Sequence, residues 1–242
     1  MTLTLSERKS YPIYILLDVS ASMRRAGPGG RSPHDGFQQL IPDLIMTLAD
    51  SRSLAKAAWI SVIAFGDHAE LLCPMTSLTR PPHVRSPHSG RHTDYAAALG
   101  FLADRVGPDR ETIEAAGAGQ DYRTRVARPL IFFITDGAPY AHGRYQAPEE
   151  WRPARDRLVA APVEARIAAI GLEGAHGGTL RALATGRPGG ERNAFLADPG
   201  DQAAGDSLAA SVITMIERSI RLSVRAGELI IDEPHGMRRV HG

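Results

Sequence analysis

A short apolar run that ends in a row of oxygen-bearing side chains constrains the fold of this chain more than any other segment. The run is Ile13-Tyr14-Ile15-Leu16-Leu17, and it leads directly into Asp18-Val19-Ser20-Ala21-Ser22. Because every position of the run is apolar, it predicts a strand buried on both faces at the centre of a parallel sheet. The turn after such a strand opens into the crevice where α/β sheets bind ligands. Carboxylate and hydroxyl oxygens there are hard donors, which suit Mg²⁺.

Segments typical of strands and of helices alternate along the chain. The segments with strand patterns are 11–18, 58–65, 70–74, 129–135, 165–172 and 193–196. The segments with helical patterns are 37–53, 95–106, 149–161, 179–185 and 203–220. This alternation predicts an α/β fold, namely a doubly wound, mostly parallel sheet of about six strands with helices on both faces.

Two local signals refine this prediction. Gly66-Asp67-His68 is typical of a hairpin turn, so 70–74 is expected to be one antiparallel strand at an edge of the sheet. Gly107-Pro108 predicts the end of the helix that begins at Tyr95. The segment 113–124 is rich in Gly and Ala and favours neither helix nor strand.

Length and composition indicate a single domain, which the first strand pattern and the last helical pattern place over 11–220, with an N-terminal extension over 1–10 and a C-terminal tail over 221–242. The 242 residues are 43% hydrophobic and 23% charged, which is sufficient for one globular α/β domain with a sizeable core. The segment 228–231 is apolar enough to form an edge strand. We nevertheless expect the tail to be loose or to become ordered on a partner.

The charge balance and the apolar runs limit the classes of partner. The 28 basic and 27 acidic residues give a formal net charge of +1, so no general attraction to nucleic acid or to an anionic membrane is expected. The apolar runs are much shorter than a membrane span, and the first ten residues lack the apolar core of a signal peptide. The expected location is therefore the cytoplasm. The single cysteine, Cys73, excludes an intrachain disulfide.

Two later turns are placed where they would complete a metal site. Thr135-Asp136-Gly137 follows the most apolar strand pattern and supplies a second carboxylate, Asp136. Gly90-Arg91-His92-Thr93-Asp94 precedes a predicted helix and supplies the hydroxyl of Thr93. In a doubly wound sheet, the strands ending at Asp18 and Asp136 are neighbours where the strand order reverses, so the two carboxylates should meet there.

Other roles for these residues stay open at this point. Thr93 is a suitable N-cap for the helix that follows it, and Asp18 and Ser20 are common in turns and caps. Three histidines in a nearby loop offer an alternative zinc site, although no paired cysteines or helical histidine pair accompany them. These histidines are His83, His88 and His92.

The three motifs together resemble the metal-ion-dependent adhesion site, abbreviated MIDAS, of the von Willebrand factor A domain family. The resemblance extends over about 11–220 and implies the Rossmann-like fold of that family. It also implies that hydroxyl oxygens bind Mg²⁺ while the carboxylates bind it directly or through water, with Mn²⁺ or Ca²⁺ as alternative ions. The implied ligands are the hydroxyls of Ser20, Ser22 and Thr93 and the carboxylates of Asp18 and Asp136.

The resemblance implies binding of a partner protein that supplies a Glu or Asp to the metal. The strings Tyr14-Ile15-Leu16-Leu17-Asp18, Ala96-Ala97-Ala98-Leu99 and Thr135-Asp136-Gly137-Ala138-Pro139 are most similar to stand-alone cytoplasmic TerY-type proteins, which are linked to tellurium resistance in bacteria. That similarity implies a stress-response or conflict-type signalling system, with a protein kinase and a metal-dependent protein phosphatase as partners.

Two other functions are compatible with the same residues. One is a Mg²⁺-dependent phosphohydrolase of the haloacid dehalogenase class, which needs a second Asp two residues after the nucleophile. Ser20 occupies that position here, and Lys56 lies at the start of a strand rather than in a suitable loop, so we expect binding rather than catalysis. The other is a scaffold whose metal site is vestigial.

Overall fold

The computed structural model describes residues 6–26, 30–186, 190–197 and 205–241, with the backbone alone for 205–207. Within these residues the strands are β1 (Ser6–Asp18), β2 (Ala58–Phe65), β3 (Ala69–Ser77), β4 (Tyr122–Val126), β5 (Leu130–Thr135), β6 (Tyr140–Ala141), β7 (Arg144–Tyr145), β8 (Arg166–Gly171), β9 (Ala194–Ala197) and β10 (Met237–Arg239). The helices are α1 (Pro33–Asp50), α2 (Arg52–Ala57), α3 (Tyr95–Ala116), α4 (Pro148–Val159), α5 (Gly177–Leu183) and α6 (Gly205–Ala226). A 3₁₀ turn covers Ser22–Arg24.

The central sheet has eight strands among the described residues, in the order β10-β9-β8-β5-β1-β2-β3, with β4 also beside β1. The pairs β1–β2, β1–β5, β5–β8 and β8–β9 are parallel, whereas β3 and β10 run antiparallel to their neighbours at the two edges. The doubly wound, mostly parallel sheet and its antiparallel strand after β2 are confirmed. The strand order reverses between β1 and β5, and this is where ligands bind in such sheets.

Side chains of β1 alternate between two apolar layers. Ile13, Ile15 and Leu17 pack in the layer formed with α1, α2 and α6. Tyr14 and Leu16 pack in the opposite layer with α3, α4 and α5. Both faces of the strand are therefore removed from water, which explains why its sequence is apolar at every position. Among the helices of the described ranges, none combines the length and the apolar character that a bilayer span requires.

The sheet begins earlier in the chain than the apolar pattern indicates. β1 starts at Ser6, and its segment Ser6–Ser10 pairs in parallel with β4. The sequence analysis identified no strand here, because 113–124 is rich in Gly and Ala; in the structure, exposed Arg123 and Arg125 alternate with half-buried residues along β4. Met1–Leu5 lie outside the described residues.

The prediction that Gly107-Pro108 ends the helix starting at Tyr95 is wrong. α3 continues to Ala116, and Val106 and Ile113 are buried on either side of the interruption. Gly and Pro cost about 1 and 3 kcal/mol in a helix interior. In the second half of α3, Ile113 packs in the apolar layer and Asp109 accepts the hydroxyl of Tyr14 from β1 at 3.1 Å, and these contacts offset the cost.

The expectation of a loose tail is also wrong for its described part. β10 pairs antiparallel with β9, at 237–239 rather than at 228–231. The chain between α6 and β10 is held by backbone N–H groups, that of Ile230 donating to Ser223 Oγ and that of Asp232 to Ser219 Oγ. The predicted start of α6 at Ala203 lies outside the described residues.

Candidate metal centre

The candidate metal centre lies at the carboxyl ends of β1 and β5. Leu17 pairs with Ile134 across these two parallel strands, which brings Asp18 beside Thr135. Thr135 Oγ1 donates a hydrogen bond of 2.6 Å to Asp18 Oδ2. Asp18 has no solvent exposure and Asp136 is 8% exposed. Two carboxylates are thus held in a largely dry environment where the strand order reverses.

Two serines of the turn after β1 connect Asp18 to Asp136 through one backbone N–H and their hydroxyl groups. The backbone N–H of Ser20 donates to Asp18 Oδ1 at 2.8 Å. The Oγ atoms of Ser20 and Ser22 lie 3.1 Å apart, and Ser22 Oγ donates to Asp136 Oδ1 at 2.8 Å. Alternate positions of the turn therefore face the same point, as the Asp-x-Ser-x-Ser spacing requires.

Thr93 borders the same site from the turn before α3. Its N–H and C=O both bond to the backbone of Tyr140, each at 3.0 Å. A Cβ atom built on Gly137 would lie 3.2 Å from Thr93 Oγ1, so this hydroxyl lies directly against the turn that carries Asp136. Asp94 caps α3 by accepting the N–H of Ala97 at 2.8 Å. The alternative in which Thr93 is the N-cap is therefore wrong.

Close backbone packing positions the turn that carries Thr93. The Cα atoms of Gly66 and Gly90 face one another, and a Cβ on either residue would lie within 2.9 Å of the other's Cα. The Asp67 carboxylate accepts the backbone N–H groups of Arg91 at 3.0 Å and His92 at 3.1 Å. The sequence analysis placed both glycines in turns but did not predict their contact, because only the folded chain brings the two turns together.

Burial and mutual repulsion shape the electrostatics of the two carboxylates. Loss of water, with a smaller contribution from the negative charge of Asp136, raises the pKa of Asp18 to about 7 against the opposing hydrogen bonds from Thr135 and Ser20. Burial also raises the pKa of Asp136, while the bond from Ser22 and the charge of Arg25 oppose that rise. A divalent cation between these groups would relieve both the desolvation and the repulsion.

The donor set fits a hard divalent cation. Two carboxylates balance its charge, and three hydroxyls provide neutral oxygen ligands, which matches Mg²⁺ and Mn²⁺ better than a soft metal. Within the described ranges, no three His, Cys, Asp or Glu side chains are grouped so as to hold a metal ion. Nδ1 of His88 instead contacts Glu70 at 2.7 Å, and Nδ1 of His92 contacts Asp67 at 2.5 Å, while His83 is exposed.

Two residues of the site were missed by the sequence analysis. Thr135 binds Asp18, and the buried Tyr95 donates from its hydroxyl to the carbonyl of Gly137 at 3.1 Å. Thr135 could have been found from its place at the end of the most apolar strand pattern. Tyr95 carries no such signal, because its contact depends on how α3 packs on the sheet.

The fold and the site define a class of protein. It is an α/β domain in which carboxylates and hydroxyls lie close together where the strand order of a mostly parallel sheet reverses. The family model described as von Willebrand factor type A domain matches residues 13–138, which is just over half of the chain. The chain belongs to the von Willebrand factor type A domain family. No curated protein sequence matches it.

Several solved structures share this fold. Proximal thread matrix protein 1 from the mussel byssus has a TM-score of 0.56 at 14% identity, over 98% of this chain and 50% of that protein. The pilus adhesin SpaC from Lactobacillus rhamnosus GG has a TM-score of 0.59 at 11% identity, over 88% of this chain and 30% of the adhesin. The mussel protein also exists in a form with a zinc-occupied MIDAS motif, at a TM-score of 0.48 and 15% identity, over 87% of this chain and 48% of that protein. This chain thus spans half or less of the length of these proteins, and at 14% and 11% identity the likeness to the first two is one of fold.

Proposed function

We propose that this chain is a protein-interaction module that binds Mg²⁺ and captures an acidic side chain of a partner through the bound ion. The proposed ligands are Asp18, Ser20, Ser22, Thr93 and Asp136. The observation that carries the proposal is the hydrogen-bonded path from Asp18 through Ser20 and Ser22 to Asp136, with the Thr93 hydroxyl beside it.

The chain's own residues hold the oxygen ligands ready before any ion binds. Thr135 and the N–H of Ser20 fix the two oxygens of Asp18, and Ser22 orients Asp136. The backbone bonds between Thr93 and Tyr140 fix the position of Thr93. Asp94 caps α3, so the hydroxyl of Thr93 is not used as the helix cap. When bound, Mg²⁺ supplies a compact positive charge that accepts a carboxylate oxygen from a second protein.

We propose binding rather than catalysis at this site. Ser20 stands where a phosphohydrolase of the haloacid dehalogenase class needs a second carboxylate, so the general acid for a leaving group is lacking at that position. Lys56 lies in α2 just before β2, and β2 runs parallel to β1. Lys56 therefore lies at the end of the sheet opposite to Asp18. Metal-dependent hydrolysis of p-nitrophenyl phosphate that is lost in Asp18→Ala would favour the enzyme instead.

The residues at the rim of the site favour a partner segment that is acidic and that also makes an apolar contact. Arg25 and Arg91 are exposed at two of the three turns that carry the ligands. The hairpin of β6 and β7 adds Tyr140 and Tyr145, whose ring centroids are 5.4 Å apart, and Tyr145 is 71% exposed. Cations at the rim attract acidic segments, and an exposed aromatic ring offers apolar area for contact.

For the biological setting, we propose a cytoplasmic signalling complex of a bacterial stress-response or conflict system. The support is the similarity of the strings at Tyr14–Asp18, Ala96–Leu99 and Thr135–Pro139 to the TerY-type group. The proposed partners are a protein kinase and a metal-dependent protein phosphatase. Co-expression of such proteins with this chain, followed by affinity capture in Mg²⁺ and in chelator, tests this setting.

The decisive experiment for the site is calorimetric titration with Mg²⁺, Mn²⁺, Ca²⁺ and Zn²⁺. We expect saturable binding of Mg²⁺ to the unaltered chain and none to Asp18→Ala, whereas Ser53→Ala, an exposed serine of α2, leaves binding unchanged. Circular dichroism checks that each variant retains its fold. Equal heats for the unaltered chain and Asp18→Ala, or no heat for either, would contradict the proposal. The remaining hypothesis would then be a scaffold whose metal site is vestigial.

A further inference from the structure

A cavity of about 560 Å³ lies at the end of the sheet opposite to the candidate metal centre. It is lined by the start of β1, the middle of α3, the connections before β5 and β8, and residues 227–229 after α6. We call it the basal cavity. Tyr11 and Asp18 are seven strand residues apart, so roughly 20 Å separate it from the metal centre. Its volume is in the range of pockets that hold small organic ligands, about 300–1,000 Å³.

The basal cavity concentrates positive charge in a chain that is nearly neutral overall. Its cationic lining residues are Lys9, Arg110, Arg125, Arg128 and Arg166. Its acidic lining residues are Glu164 and Glu228. The pairs Arg110–Glu114, Arg125–Glu7 and Arg128–Glu164 are exposed ion pairs. Such pairs contribute little stability, so these guanidinium groups are able to exchange their partner for a ligand anion.

Two of the cations bind backbone carbonyls instead of carboxylates. The ammonium group of Lys9 donates to the carbonyl of Gly227, and Arg166 donates to the carbonyl of Gly186 at 3.0 Å. Within the described part of the chain, neither forms an ion pair with an acidic side chain. Their charges are therefore available to an anion that enters the cavity.

Aromatic and apolar groups form the remaining walls. Tyr11 and Tyr14 line the cavity together with Val163 and Leu229. The ammonium of Lys9 lies 5.5 Å from the ring centroid of Tyr11, and both residues line the cavity. This combination suits a ligand with a flat or apolar body joined to an anionic group.

Gly107 leaves one border of the basal cavity open. α3 passes through Gly107-Pro108 although both residues are unfavourable in a helix interior, and Gly107 lines the cavity. A Cβ atom at Gly107 would meet no other atom within 4 Å, so close packing does not require glycine there. Gly100 of the same helix is equally unhindered but does not line the cavity.

We propose that the basal cavity binds a small organic phosphate, that is, a phosphate group joined to a ring of nucleoside size or smaller. Arg110, Arg128 and Arg166 hold the phosphate as guanidinium donors, and Tyr11 contacts the ring. Arginine forks match the geometry of phosphate oxygens. The site goes beyond the proposed metal-dependent function and is independent of it.

Binding of AMP, phenyl phosphate, adenosine and inorganic phosphate, measured by calorimetry in chelator, tests the proposal. We expect AMP or phenyl phosphate to bind at least tenfold more tightly than adenosine or inorganic phosphate. Gly107→Leu should weaken that binding at least tenfold, whereas Gly100→Leu should leave it unchanged. Arg166→Gln, which keeps a donor for the carbonyl of Gly186, should weaken binding of AMP and phenyl phosphate and leave binding of adenosine unchanged.

Several outcomes would overturn the inference. It fails if no probe binds saturably, if inorganic phosphate binds as tightly as AMP, or if Gly107→Leu and Gly100→Leu behave alike. Because the titrations are run in chelator, these results do not depend on the metal centre. Loss of Mg²⁺ binding in the separate titration would leave this inference intact, and failure here would leave the metal proposal intact.

Discussion

The hydroxyl of Thr135 donates a hydrogen bond to Oδ2 of Asp18 across 2.6 Å, between the ends of two adjacent parallel strands. Asp18 is fully buried, so this bond and the N–H of Ser20 replace water around its carboxylate. The bond joins the end of β1, which carries Asp18, to the end of β5, which precedes Asp136. It also orients an oxygen pair that, in the proposed function, holds the metal.

We predict that Thr135→Val weakens Mg²⁺ binding about tenfold, because a hydrogen bond to a charged group contributes about 1.5–3 kcal/mol. Thr135→Ser, which keeps the hydroxyl, should bind within about threefold of the unaltered chain. Calorimetric titration at pH 8 measures both. Equal affinity of the Val and Ser variants would show that the bond does not orient Asp18 for the ion.

Mg²⁺ binding should depend on pH through Asp18, whose pKa is raised to about 7 by burial. Below that value the ion must displace a proton, so its affinity should fall about tenfold per pH unit. Above pH 8 the affinity should level off. Titrations between pH 5.5 and 8.5 measure this profile, and an affinity that is flat across the range would rule out proton competition at Asp18.

The metal-free protein should lose stability as the pH rises toward 7. An acid whose pKa is higher in the folded chain holds its proton more tightly there, so its favourable contribution is complete below the usual value of 3.8 and is lost as the pH rises to about 7. Bound Mg²⁺ replaces the proton. The increase of Tm on adding Mg²⁺ should therefore be larger at pH 8 than at pH 6, and Asp18→Asn should abolish the difference.

Thr93→Ala should lower Mg²⁺ affinity about tenfold and leave the Tm in chelator nearly unchanged, because Thr93 is tied to Tyr140 through backbone atoms alone. Thr93→Ser should restore the affinity, since it restores the hydroxyl. Calorimetry and thermal unfolding measure the two effects separately. A large fall in Tm for Thr93→Ala would indicate a structural role for the hydroxyl.

Gly90→Ala should destabilise the chain by about 1–3 kcal/mol, because the new Cβ would lie 2.8 Å from the Cα of Gly66 and would force the two turns apart. Mg²⁺ affinity should fall with it, as Thr93 lies in the displaced turn. Gly100→Ala is the matched control, since its Cβ meets open space and helix propensity favours alanine by about 1 kcal/mol. Denaturant unfolding of both variants checks this contrast.

Tyr145→Ala should weaken capture of an acidic partner at least tenfold without altering Mg²⁺ affinity, because the 71% exposed ring lies on the rim and not among the proposed ligands. A suitable readout is selection of acidic peptides from a display library on the Mg²⁺-loaded chain, followed by their affinities for each variant. Met46→Ala, an exposed apolar residue of α1, is the control. Equal losses of peptide affinity in both variants would show that the hairpin is not part of the surface that binds the partner.

Local patterns in the sequence were sufficient for the principal elements of the fold. The apolar runs of β1 and β5 are buried on both faces, so their composition alone indicates central strands. The positions of Asp18, Thr93 and Asp136 next to predicted elements placed them at turns. The similarity of their motifs to the MIDAS motif supplied the site hypothesis before any geometry was known.

Other elements depended on contacts between distant parts of the chain. β4 and β10 are short and carry Arg, so only their pairing with β1 and β9 stabilises them as strands. α3 continues past Gly107-Pro108 because Ile113 packs in the apolar layer and Asp109 bonds the hydroxyl of Tyr14, contacts that no local propensity records.

The sequence by itself determined the α/β class, the central strands and the residue types available for a metal site, because hydrophobic periodicity and turn composition are local properties. Only the tertiary structure decided that Thr135 bonds Asp18, that Gly66 packs on Gly90, and that cationic residues surround a cavity far from the site. Strand register, close packing and loss of water around a charged group arise only when segments far apart in the chain meet.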